Sequence, residues 1–122
     1  MATSKSTIPV VFGANSATET VANNTAAAIS TVSSTLYLVE INNTLNTVNS
    51  FVKLYNVASG SVTVGTTDPY VILRVQASTK VTYHFDQGIA FGAAITLACV
   101  NSPGTAGTTS PTASVTVEFI YD

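Results

Sequence analysis

Charge is nearly missing from this chain. Only 8% of its 122 residues are Asp, Glu, Lys or Arg, and it has one histidine, one cysteine and no tryptophan. Catalytic sites are built from titratable groups tuned by their surroundings, and the supply here is too thin to expect an enzyme. The basic residues Lys5, Lys53, Arg74 and Lys80 are scattered, and the net charge is -2. Nucleic-acid affinity comes largely from clustered cations that displace counterions, so no nucleic-acid partner is expected. No basic amphipathic helix is present to lie on a membrane. No apolar run approaches the ~20 residues of a spanning helix, so no membrane partner is expected either.

Other absences narrow the reading further. A single cysteine excludes an internal disulfide. Cys99 lies in the run Ile95-Thr96-Leu97-Ala98-Cys99-Val100, which reads as a small buried hydrophobe rather than a reactive thiol. Met1-Ala2-Thr3-Ser4-Lys5 has no apolar region behind it. A secretion leader is therefore not expected, and folding in a cytoplasm is. Asn23-Asn24-Thr25 and Asn42-Asn43-Thr44 match the glycosylation acceptor. Chance alone produces such matches in an Asn- and Thr-rich chain, and they are set aside.

What remains is Thr, Ser, Asn, Ala and Val, with 46% hydrophobic residues, enough for one domain with a core of its own. Residues 1–34 are irregular and small-residue-rich, and read as an N-terminal arm or edge-strand region. Residues 35–122 read as the body of a β-sandwich. Strand patterns cover residues 35–42, 51–56, 70–76, 79–85, 89–91, 94–100 and 113–121. Val81, Tyr83 and Phe85 alternate with Lys80, Thr82 and His84, as expected of a strand with one buried and one wetter face. In the last strand Val115, Val117, Phe119 and Tyr121 share a face. Turn signals recur every ~8 to 14 residues and no amphipathic helix stands out, which predicts an all-β antiparallel sandwich or barrel of about eight strands.

The chemically capable residues each have a plain structural reading. His84 is the sole candidate general base at neutral pH, and it shares a strand face with Asp86 if the strand continues. Hydroxyls are so numerous that one near His84 would carry no information about a triad, so a surface or subunit-contact histidine is expected. Asp68, before Pro69, and Asp86-Gln87-Gly88 read as turns. The carboxylates Glu19, Glu40, Asp68, Asp86, Glu118 and Asp122 match no metal-loop spacing, and no cofactor or metal is expected. The glycines precede no helix that could hold a phosphate. Tyr37, Tyr55, Tyr70, Tyr83 and Tyr121 fall in apolar strand contexts, which favours core or inter-sheet packing over a sugar-stacking platform.

Three short motifs, Phe51-Val52-Lys53-Leu54-Tyr55-Asn56-Val57-Ala58, Val64-Gly65-Thr66-Thr67-Asp68-Pro69 and Gly88-Ile89-Ala90-Phe91-Gly92, carry a resemblance. They are similar to a pattern in small structural proteins of tailed-bacteriophage virions. The resemblance spans residues 51–100 and an apolar last strand ending at Tyr121. It implies a jelly-roll-like β-sandwich and a capsid cement or decoration role, with the major capsid protein as partner, a virion location and no catalytic residues. Low charge fits that setting independently, because a surface rich in Thr, Ser and Asn binds with little dependence on salt. Sparse charge also leaves edge strands poorly guarded, which points to a homo-oligomer, a trimer in the first instance. The expected anchor is the apolar group Ile8, Val10 and Phe12, with the loop of residues 101–111 facing the lattice or solvent. A tail, collar or fibre-associated adsorption module is the alternative, and a carbohydrate-binding β-sandwich the second.

Overall fold

The computed structural model describes residues 15–122; the expected anchor Ile8, Val10 and Phe12 lies outside the described residues. Eight strands follow in chain order: β1 (Asn15–Ala22), β2 (Ala27–Ser30), β3 (Ser34–Asn42), β4 (Ser50–Tyr55), β5 (Val71–Val75), β6 (Lys80–Phe91), β7 (Ile95–Val100) and β8 (Val115–Tyr121). They form two antiparallel sheets, ordered β1-β8-β3-β6 and β2-β7-β4-β5. Successive strands alternate between the sheets everywhere except at the β4–β5 hairpin. Two four-stranded sheets wound together in this way make a jelly roll. β1 and β2 belong to the sandwich itself, as edge strands of the two sheets.

Period-two alternation builds the core. Leu36, Val39 and Ile41 of β3 and Val115, Val117 and Phe119 of β8 face Val52 and Leu54 of β4 and Ile95, Leu97 and Cys99 of β7. Each fully buried Leu, Ile, Val or Phe side chain contributes about 1.5–3 kcal/mol of transfer free energy. Two tyrosines tie the sheets together near the edges. The Tyr83 hydroxyl of β6 donates to the Arg74 carbonyl of β5, and the Tyr121 hydroxyl of β8 donates to the Ile29 carbonyl of β2 at 3.3 Å.

Residues 86–88 do not form the expected turn, and residues 89–91 are not a separate strand. β6 runs through both. Leu36 pairs with Ile89 while Leu38 pairs with His84, so β6 carries extra residues opposite β3 and bulges there. Gly88 makes the bulge possible. Its φ is +75°, and a Cβ would lie 2.3 Å from Thr35 Cγ2 and 3.0 Å from Tyr37 Cε1. A glycine that reads as a turn in isolation is here a bend within a paired strand.

One end of the sandwich is closed by a buried amide cluster. Asn43 Nδ2 donates to the carbonyls of Val48 and Gln76, each at 3.0 Å. Asn43 Oδ1 accepts from Asn46 Nδ2 and from Ser50 Oγ, each at 2.9 Å. Asn46 Nδ2 also donates to the Ala113 carbonyl at 3.1 Å, and Asn46 Oδ1 accepts the Ala113 N–H at 2.8 Å. The Asn46 carbonyl accepts the N–H of Ser78 at 2.8 Å, a residue held at φ 55°. Three crossings between the sheets therefore meet at two asparagines. Replacing Asn46 leaves the Ala113 N–H, the Ala113 carbonyl and the Asn43 amide oxygen short of partners, at about 1–3 kcal/mol for each orphaned group. Asn46→Ala is expected to lower the unfolding free energy by about 3 kcal/mol, measured from the urea midpoint. Leu45→Ala, at a neighbouring side chain that is 70% exposed, is expected to stay within about 0.5 kcal/mol of wild type.

Candidate functional site

The two outer faces of the sandwich are built differently. On the outside of the β2-β7-β4-β5 sheet, Lys53 and Tyr55 of β4 lie beside Ala98 and Thr96 of β7. All four are shut off from solvent, because the chain's own long loops lie over them. The loop of residues 101–111 is fastened down by Lys53, whose ammonium donates to the carbonyls of Gly107 at 2.9 Å and Thr105 at 3.4 Å. Thr105 Oγ1 donates to Asp68 Oδ1 at 2.9 Å, joining this loop to the β4–β5 connection. Asn24 Nδ2 donates to the Thr108 carbonyl at 2.9 Å, and Ser110 Oγ accepts the Asn24 N–H at 3.0 Å. The loop of residues 101–111 is thus strapped onto its own sheet while Pro103, Gly104, Ala106, Thr108 and Thr109 face solvent on its outer side.

Desolvation by burial lowers the pKa of Lys53 from its ordinary 10.5. The unfolded chain then holds the Lys53 proton more tightly than the folded one. Between the lowered folded value and 10.5, stability contributed by this group rises with pH. Tyr55 works in the opposite sense above pH 10.0, because burial raises its phenol pKa. Lys53→Met is expected to abolish the alkaline rise measured below pH 10.0 and to speed hydrogen exchange at residues 101–111, whose carbonyls lose their donor. The Tyr55 hydroxyl is buried without a hydrogen-bond partner among the described residues. Tyr55→Phe removes a desolvated polar group at no loss of bonding. It is expected to leave the thermal midpoint unchanged or to raise it slightly.

Outside the β1-β8-β3-β6 sheet, none of the described loops lies over the surface. One cross-strand row runs Ser16, Ile120, Leu38, His84, and the next runs Thr18, Glu118, Glu40, Thr82. Leu38, Ile120 and Tyr37 are half-buried there. Lys80 pairs with Glu40 at 3.0 Å, and Thr82 Oγ1 donates to Glu40 Oε2 at 3.3 Å. Glu118 stands directly opposite Glu40 with its side chain in solvent, a like-charge pairing that strands otherwise avoid.

His84 is on this face, and because β6 continues it does meet Asp86, Nδ1 to Oδ1 at 3.0 Å. Both side chains are open to water. Among the described residues, no three His, Cys, Asp or Glu side chains gather into a metal-holding group. Cys99 lies in the core, its thiol pushed up to about 12 by burial, so it is held as the unreactive thiol. Asp68 serves the loop seam described above. The tyrosines are dispersed. Tyr55 is under the loops, Tyr83 and Tyr121 bridge the sheets, and Tyr70, 52% exposed, sets its ring edge-on to Phe91 at 5.0 Å between centroids. The residue that sequence reasoning missed is Lys53, counted only as one scattered cation. Its signal was position, between Val52 and Leu54 in an otherwise apolar strand. No family model and no curated protein matches the chain.

Proposed function

We propose that the chain is a bacteriophage capsid cement protein, which binds the assembled head shell through the major capsid protein and stabilises it. One observation carries the reading: among the described residues, the jelly roll closes one sheet under its own loops and leaves the other sheet uncovered. That face is rich in Thr, Ser and half-buried apolar side chains, and its charges are largely paired with one another, Lys80 with Glu40 and His84 with Asp86. Such a face suits a broad, salt-tolerant contact with a repeated surface. The motif resemblance spanning residues 51–100 supports the same reading. Fold alone does not, because jelly rolls host many functions.

The mechanism is mass action. A protein that binds the assembled shell and not its dissociated subunits stabilises the shell by RT ln(1 + [L]/Kd), about 2.7 kcal/mol per site at a hundredfold excess over Kd. Repeated over a symmetric shell, that term opposes the outward pressure of packaged DNA with no chemistry at all. The apolar group Ile8, Val10 and Phe12 is the proposed anchor, and the virion the proposed location. Immunogold labelling of particles with antibody against this chain tests the proposal. Label spread over the head, together with heads that release DNA at a lower temperature once the protein is stripped off, is the expected result. Label at one pole instead assigns the chain to the adsorption apparatus, and unlabelled particles remove it from the virion.

A further inference from the structure

Among the described residues, the clefts at the two edges of the sandwich have rims of opposite charge. At one edge, β1 and β2 border a cleft of about 270 Å³ floored by Ala22, Ala27 and Leu97, with Glu19 and Val21 at its rim. The register of β1 slips between Glu19 and Ala22, and this bulge leaves Val21 54% exposed. Glu19 Oε1 accepts the Val21 N–H at 3.2 Å, which holds the carboxylate beside the protruding valine. The ion pairs among the described residues are Lys80–Glu40 and His84–Asp86, so Glu19 has no cationic partner there.

At the opposite edge, β5 and β6 border a cleft of about 440 Å³ with Val75 and Val81 in its floor and Arg74 and Lys80 on its rims. Of the lysines and arginines among the described residues, Lys53 is buried, and the remaining two both flank this cleft. The Arg74 guanidinium has no hydrogen-bond or ion-pair partner among the described residues. The Lys80 side chain is 54% exposed beyond its contact with Glu40. An acidic rim with a protruding apolar side chain thus faces away from a cationic rim with an apolar floor, on a single molecule.

We infer that the Glu19–Val21 edge of one copy docks into the Arg74–Lys80 cleft of the next, closing a ring of identical subunits. Val21 covers the Val75–Val81 floor, and Glu19 meets Arg74 as this edge is desolvated. The contact joins two different patches, so it is heterologous and propagates from copy to copy. β1 and β6 stand at opposite ends of one sheet, and β2 and β5 at opposite ends of the other. A pair of copies cannot engage both patches at once, which makes a trimer the smallest ring that closes. The ring also buries the free edges of β1 and β6, which sparse charge leaves unguarded. The inference concerns contacts between copies and is read on the purified full-length chain, so it stands or falls separately from shell binding.

Sedimentation velocity over a concentration series tests it. The wild type is expected to run as a closed oligomer that dissociates toward the 12.6 kDa subunit as salt is raised. Arg74→Glu and Glu19→Lys are each expected to weaken association by about tenfold or more. Neither side chain supports the core, and unchanged thermal midpoints verify that both variants fold. Cysteine pairing supplies a second measurement. The double variant Glu19→Cys, Arg74→Cys is expected to oxidise to covalent rings, whereas Glu118→Cys, Arg74→Cys yields none, and buried Cys99 stays unreactive. A wild type that stays monomeric throughout overturns the inference. So does an oligomer indifferent to both charge reversals, or one in which the paired cysteines do not cross-link.

Discussion

The buried amides of Asn43 and Asn46 are the constraint on which the rest of the structure depends. A jelly roll passes its chain back and forth between two sheets, and each passage exposes backbone groups that no ladder satisfies. Here Asn43 and Asn46 act as branch points, bonding the backbone of the β3–β4, β5–β6 and β7–β8 connections to one another. With that end fixed, the register of β3 against β8 and the spacing between the sheets are set together. The opposite end is tied more lightly, with Asn56 Oδ1 accepting the Ala93 N–H at 2.9 Å.

A second consequence concerns the sheets' outer faces. Amphipathic strands of a sandwich need cover on one side only, yet every residue of β7 and nearly every residue of β4 is buried. The cover is internal: the β4–β5 and β7–β8 connections fold back over the sheet and are held by Lys53, Asp68 and Asn24. Burying a lysine is costly unless its donors are used, and the Gly107 and Thr105 carbonyls use them. The other sheet has no such cover among the described residues, and its outer row mixes half-buried Leu38 and Ile120 with exposed Glu118.

Much of this was legible in the residues. The alternation in β6 and β8 is a local property of the chain, and it marked the core face correctly because side-chain period follows backbone pleat. The eight-strand count rested on the same signal, which was right for Tyr83 and Tyr121 at the core but not for Tyr70, half exposed, or Tyr37, on the outer face. Local signals failed where partners distant in sequence decide. Asp86-Gln87-Gly88 has turn composition, but pairing with β3 keeps it in a strand. Leu36, Tyr37, Leu38, Val39 and Ile41 put apolar side chains on both faces of β3, yet among the described residues nothing covers its outer face, and the doubly buried strands are β4 and β7. Lys53 could not be identified as a loop clasp, because its partners lie more than fifty residues away. The edge clefts were equally invisible, since each combines strands from two sheets.

The Lys53 clasp has an effect on how this protein can vary. Its ammonium recognises carbonyl oxygens alone, and Asn24 likewise holds the Thr108 carbonyl. Those contacts read the path of the loop and are blind to most of its side chains. Apart from Thr105 and Ser110, whose hydroxyls bond Asp68 and Asn24, and Gly107, which lies close against Ser102, the sequence of the 101–111 loop is therefore largely uncoupled from the fold. The sandwich can carry altered surface lettering on that strap without renegotiating its core, which makes this stretch the natural place for peptides to be exchanged or displayed.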